Sequence, residues 1–142
     1  MSLQNIMTTD PVVIRMDDDL ATIRDIFDLV SFHHLLVVED NKLVGIVSDR
    51  DYLKSVNSTL GTPIETTRDL AALNLKAHQI MTRKVCAVRE NASLFDVVST
   101  FQEKQVSCLP VLDENNSPKG VISWKDIVSA LASNMAKKRA MN

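Results

Sequence analysis

Apolar positions along the chain change their spacing several times, and they do so twice in the same order. The run "VVIR" at 12–15 is short and β-favouring. Asp19 then stands where a helix cap is expected, and Leu20, Ile23, Ile26, Phe27 and Val30 follow at helical spacing. "HLLVV" at 34–38 reads as a buried strand, and a polar turn leads to "LVGIVS" at 43–48, a second strand in hairpin with the first. "DRDYLKSV" at 49–56 reads as a helix. The second pass has "CAVR" at 86–89, Ser93 as cap, and Leu94, Val97, Val98, Phe101 and Val106 at roughly helical spacing. "CLPVL" at 108–112, "KGVISW" at 119–124 and the helical "KDIVSALASNM" at 125–135 complete it. The pattern predicts β-α-β-β-α twice, a mixed α/β (α+β) protein.

The two passes are an internal repeat. Ile6-Met7-Thr8 aligns with Ile80-Met81-Thr82 at an offset of 74 residues, as do Arg15 with Arg89, Leu20 with Leu94 and Phe27 with Phe101. Past "EDNKLVG" and "DENNSPKG" the offset becomes 75, so Gly45 meets Gly120. One added residue in an Asn-rich polar turn is what a hairpin loop tolerates. The repeats are expected at 1–60 and 80–142, with a connector at 61–79. Gly61 and Pro63 mark a loop there, and Thr67 is expected to cap a helix that turns Leu70, Leu73 and Ala77 toward the core. The connector lacks long Gly/Ser runs and reads as packed. Each repeat alone would be marginal; together they would bury a shared sheet face.

Composition narrows the class. The chain has 142 residues, 45% of them hydrophobic, enough for a sizeable core, and only 4% aromatic, so that core is aliphatic. A net charge of −2 gives no basic excess of the kind nucleic-acid binding uses. Asp17, Asp18 and Asp19 form an acidic cluster, and Lys137, Lys138 and Arg139 a basic end; both read as solvated surface. Cys86 and Cys108 form no CxxC and fit two free thiols in a reducing compartment. No apolar run approaches a membrane span, and no leader-like segment opens the chain, so a cytoplasmic protein is expected.

Two heptads carry the candidate chemistry: "GIVSDRD" at 45–51 and "GVISWKD" at 120–126. One reading is structural. Ser-x-x-Asp at a helix start resembles a capping box, worth about 1 kcal/mol without any ligand. The other is a ligand site. A strand running into a helix start suits an anion, a serine hydroxyl can donate to phosphate, and an ionised Asp can accept both O–H donors of a ribose diol. Gly45 and Gly120 would let a backbone approach closely where a side chain would obstruct. The readings are compatible.

The double "IMT", the "Leu-Pro-Val" strand at 109–111 and the twin Gly-φ-φ-Ser-x-x-Asp stretches resemble a tandem pair of CBS domains, a Bateman module, over residues 4 to about 133. The resemblance implies two halves related by a pseudo-twofold axis and packed through their sheets, with two clefts between them. Such pairs commonly bind AMP, ADP, ATP or S-adenosylmethionine, regulate another protein, and dimerise. It therefore implies an adenosine nucleotide as regulatory ligand, no obligatory cofactor, a homodimer, and an unidentified regulated partner, with no role for nucleic acid or membrane. An alternative is an interaction scaffold whose clefts stay empty.

Carried over by residue, Asp51 and Asp126 match the ribose-binding aspartates, and Ser48 and Ser123 the phosphate-side hydroxyls. The Asp126 cleft would add Thr8, Asp10, Pro11 and Val12 together with Phe32, His33 and His34. The Asp51 cleft would add Thr82, Lys84, Val85, Cys86, Val106, Ser107 and Cys108. Backbone in those stretches would read the adenine edge. Pro11 and the histidines tilt the expectation toward an occupied Asp126 cleft.

The repeats also depart from the pattern: Val85 stands where copy one has Pro11, and Leu36 where copy two has Pro110. Arg50 and Lys125 can pair with phosphate or stay solvated. Trp124 can flank a base or cover the core. His33 and His34 point to opposite faces of a strand and make a poor chelate, so no metal is expected. They are read either as phosphate-side contacts or as ordinary surface or core histidines. No nucleophile elbow, HExxH or P-loop lysine is present, and an enzyme is not expected.

Overall fold

The computed structural model describes residues 2–56, 62–63 and 67–141. The chain falls into two compact units whose boundaries do not coincide with the repeats. One is continuous, Val12–Val85, and contains Asp51; the other joins Met1–Pro11 to Cys86–Asn142 and contains Asp126.

In the Asp51 unit, β2 (Val13–Arg15), β3 (His34–Glu39) and β4 (Lys42–Ser48) form a sheet in the order β2-β3-β4. β2 and β3 are parallel, so a crossover must join them, and α1 (Leu20–Leu29) supplies it. Asp19 caps α1 by accepting from the Thr22 N–H at 2.9 Å. β3 and β4 form the expected hairpin, turned by Asp40 and Asn41, both at positive φ (51° and 63°), which short polar residues tolerate. α2 (Asp49–Ser55) closes the repeat. Leu20, Ile23, Leu35, Val37 and Val47 are fully buried in one cluster with Ile14, Ala77 and Met81.

The connector departs from expectation. Its helix α3 spans Thr67–Ala72, so Thr67 is the first helical residue rather than its cap, and Leu70 is half exposed. Leu73 packs against the core, but Ala77 belongs to a separate turn of helix, α4 (Ala77–Ile80). This turn is tied to the acidic stretch by the Ala77 N–H donating to the Asp18 carbonyl at 2.8 Å. Gly61 lies outside the described residues.

The Asp126 unit repeats the scheme with β5 (Val88–Arg89), α5 (Leu94–Lys104), β6 (Cys108–Leu112), β7 (Pro118–Ser123) and α6 (Trp124–Met141). Ser93 and Asp96 cap α5 reciprocally. The turn carrying the added residue is organised by Asp113, whose side chain accepts from the Asn115 and Ser117 N–H groups. The sheet order is β1-β7-β6-β5, where β1 is Thr8–Thr9 from the chain's start. Leu3, Met7, Val97, Phe101, Leu109, Val111, Ile122 and Ile127 lie in one buried cluster. α6 runs six residues past the expected Met135, and Leu131 onward is exposed.

Each unit thus takes an edge from the opening of the other repeat. β1 pairs antiparallel with β7, Thr8 opposite Val121. In the Asp51 unit Thr82 pairs with Ile46, the residue aligned with Val121, through two backbone hydrogen bonds of 2.9 and 3.1 Å. The "IMT" motif is therefore an edge strand delivered across the sequence.

Candidate functional site

Both heptads form complete capping boxes. The Ser48 N–H donates to Asp51 Oδ2 at 2.8 Å, and the Asp51 N–H donates to Ser48 Oγ at 3.0 Å. In the other unit the Ser123 N–H reaches Asp126 Oδ2 at 2.9 Å, and the Asp126 N–H reaches Ser123 Oγ at 3.3 Å. The structural reading of the heptads therefore holds in both copies. It also fixes each carboxylate in position through one oxygen. Among the described residues Oδ1 of neither aspartate has a hydrogen-bond partner. Both aspartates are half-buried, so each presents a preset acceptor at the surface.

The glycines are explained by packing within the unit. A β-carbon on Gly45 would stand 2.9 Å from Met81 Cγ and closer still to its sulfur. On Gly120 it would stand 2.7 Å from both Met7 Sδ and the Thr8 carbonyl oxygen. Each glycine makes room for the methionine of the incoming "IMT" strand. The close approach of backbone expected at these glycines is seen at Gly120, where the Thr8 carbonyl comes near, while at Gly45 the neighbour is the Met81 side chain.

The hairpin register sets His34 opposite Ser48, and His33 Nδ1 lies 2.9 Å from Asp49 Oδ2 while the His33 carbonyl accepts from the Asp49 N–H. His33 and His34 therefore stand beside the Asp51 heptad of their own repeat. Burial pushes the His34 imidazole below the ordinary histidine range, an effect partly offset by Asp49 and Asp51. Phe32 lies in the same unit and is 40% exposed. The matching stretch Val106, Ser107 and Cys108 belongs to the Asp126 unit, with Cys108 opposite Ser123. A hairpin necessarily places the start of its first strand beside the end of its second, so the first strand of a repeat faces that repeat's own heptad.

The remaining residues divide at the two crossings between units. Thr8, Asp10, Pro11 and Cys86 belong with Asp126; Val12, Thr82, Lys84 and Val85 belong with Asp51. Asp10 adopts the left-handed conformation, φ 54°, just before the first crossing. Arg50 and Lys125 are exposed and form no ion pair among the described residues. Trp124 stacks on Phe101 with ring centroids 4.9 Å apart, so it covers the core. Cys108 is buried, and desolvation pushes its thiol up to about 12, which makes it unreactive. Asp49 was missed from sequence because its counterpart in the second heptad is Trp124, and the repeat gave no signal there.

Among the described residues no group of His, Cys, Asp and Glu could hold a metal, and no helix is long and apolar enough to cross a membrane.

Comparison with known proteins places this geometry. The family model described as "CBS domain" matches residues 3–58 and again 77–133. The chain belongs to the CBS domain family and carries the domain as a tandem pair. Among curated relatives, the uncharacterized protein MJ1225 of Methanocaldococcus jannaschii is 27% identical over 131 residues, covering 92% of this chain and 47% of that protein. A homoserine O-acetyltransferase of Methanococcus vannielii is 27% identical over 91% of this chain, which spans 24% of the enzyme. The chain thus spans half or less of these two relatives. Among solved structures, the CBS domain pair of protein MJ0100, in complex with 5-methylthioadenosine and S-adenosyl-L-methionine, superposes with a TM-score of 0.75 at 21% identity, covering 94% of this chain and 98% of that one. The structure of CBSX2 in complex with AMP gives 0.76 at 22% identity, with the same coverage of each chain.

Proposed function

We propose that this chain is a regulatory module that binds adenosine compounds, with Asp51 and Asp126 accepting from the ribose hydroxyls and Ser48 and Ser123 on the phosphate side. The observation that carries this reading is the pair of identically fixed carboxylates, each held through Oδ2 with Oδ1 left for a ligand. A ribose diol offers two adjacent donors to such an acceptor. The adenosine ligands of the MJ0100 pair and CBSX2 support the choice of ligand class. The adenine edge would be read by backbone near Thr8–Val12 and Thr82–Cys86. The module acts by changing a partner or its own assembly, not by catalysis, in a cytoplasmic setting.

A second reading, an interaction scaffold, is favoured by one feature. On α6 Trp124, Val128, Leu131 and Met135 recur every three or four residues and are 42–69% exposed, a stripe suited to a protein partner or a second copy.

A thermal-shift panel with AMP, ADP, ATP, S-adenosylmethionine and NADH tests the proposal. Ligand at 100 times its Kd adds about 2.7 kcal/mol, and the shift should vanish when both aspartates are replaced by alanine. A flat panel at millimolar ligand leaves the scaffold reading.

A further inference from the structure

Resting on the reading of both aspartates as ribose acceptors, and narrowing the phosphate role to Ser48, we infer that the two sites take adenosine ligands of opposite charge preference: a phosphorylated one at Asp51, and one lacking phosphate at Asp126.

The repeat makes the comparison residue by residue. Thr82 pairs with Ile46 on β4, so the segment that follows, Arg83-Lys84, belongs to the Asp51 unit; in the other unit Thr9 pairs with Gly120 and leads to Asp10. Together with the heptads, the Asp51 set holds three permanent cations, Arg50, Arg83 and Lys84, against Asp49 and Asp51. The Asp126 set holds one cation, Lys125, against Asp10 and Asp126. By formal charge the Asp51 set sums to +1 and its twin to −1, with the Arg83 guanidinium donating to the His78 carbonyl at 3.1 Å. A chain of phosphates is attracted to the first and repelled by the second.

The histidines widen the gap. His33 lies against Asp49, and His34 faces Ser48 with Asp49, Asp51 and His33 as its charged neighbours. Their counterparts are Ser107 and Cys108, and Asp49 is replaced by Trp124, an uncharged set. A polyanion at the Asp51 site favours protonation of His34, so its binding strengthens as pH falls.

The test uses the full chain with ATP and adenosine as probes, titrated calorimetrically at pH 8.0 and 6.0. Trp124, the only tryptophan and two residues from Asp126, reports occupancy of that site by fluorescence. Asp51→Asn, which keeps an acceptor for the Ser48 N–H, should abolish tight ATP binding while the adenosine-induced fluorescence change persists. Asp126→Asn should do the reverse. ATP affinity should rise about tenfold from pH 8.0 to 6.0, and a His34→Gln variant should lose that rise, leaving the opposing effect of the nucleotide's own phosphate, which loses charge as it protonates near pH 6. ATP binding lost in Asp126→Asn, or an unchanged pH dependence in the histidine variant, overturns the inference while leaving adenosine sensing intact. Absence of binding by either probe overturns both.

Discussion

Met81 Cγ lies 2.9 Å from the position a β-carbon on Gly45 would take, and Met7 stands in the same relation to Gly120. The two contacts are not equal. The obstruction at Gly45 is all flexible side chain, whereas at Gly120 the Thr8 carbonyl oxygen also stands 2.7 Å away. Gly45→Ala should cost about 1–3 kcal/mol as an overpacking change, and Gly120→Ala more. In double-mutant cycles by urea denaturation, Met81→Ala should recover much of the Gly45→Ala loss, and Met7→Ala little of the Gly120→Ala loss.

The capping boxes give a second expectation. Ser48→Ala and Ser123→Ala should each lower stability by about 1 kcal/mol without ligand. Ser48→Ala should also weaken binding of phosphate-bearing ligands beyond that loss, whereas Ser123→Ala should leave it unchanged. Chemical denaturation beside calorimetry separates the two effects.

Asp10 holds a left-handed backbone at φ 54°. Asp10→Gly removes the steric penalty and should be neutral or stabilising by up to about 1 kcal/mol, whereas Asp10→Val should destabilise by a similar amount or more. Thermal unfolding of the two variants checks this.

Burial lowers the proton affinity of His34 in the folded chain. Above the ordinary histidine value of about 6.5 neither state binds the extra proton, and the stability associated with His34 is intact. As pH falls through that value the unfolded chain takes a proton the folded chain resists, so stability declines. Without ligand, the urea midpoint should be lower at pH 5.5 than at 7.5, and His34→Gln should reduce that difference.

The two thiols should separate kinetically. Cys86 is half-buried, and Cys108 is buried with its thiol raised to about 12. At pH 8 a thiol reagent should label Cys86 quickly and Cys108 only on unfolding, which peptide mapping resolves.

Much of this was legible in the sequence because local rules agreed with the fold. The order β-α-β-β-α, the caps at Asp19 and Ser93 and both Ser-x-x-Asp boxes all follow from residues within a few positions of one another. What was not legible depends on pairings distant in sequence. Nothing near Thr82 announces Ile46 as its partner, and the contact of His33 with Asp49 depends on the hairpin register. The start of α3 was misplaced because threonine fits a cap and a first turn equally well.

The exchange of edge strands makes the Asp51 unit an insertion within the other: the chain enters it at Val12 and leaves it at Val85. Cutting between the repeats near residue 60 would strip each fragment of its borrowed edge. A separable piece begins at 12 and ends at 85, and the rest is recovered by splicing 11 to 86. The natural seams for chimeras and truncations therefore lie a few residues past the two "IMT" segments, at 11/12 and 85/86, not in the connector that sequence similarity marks as the border.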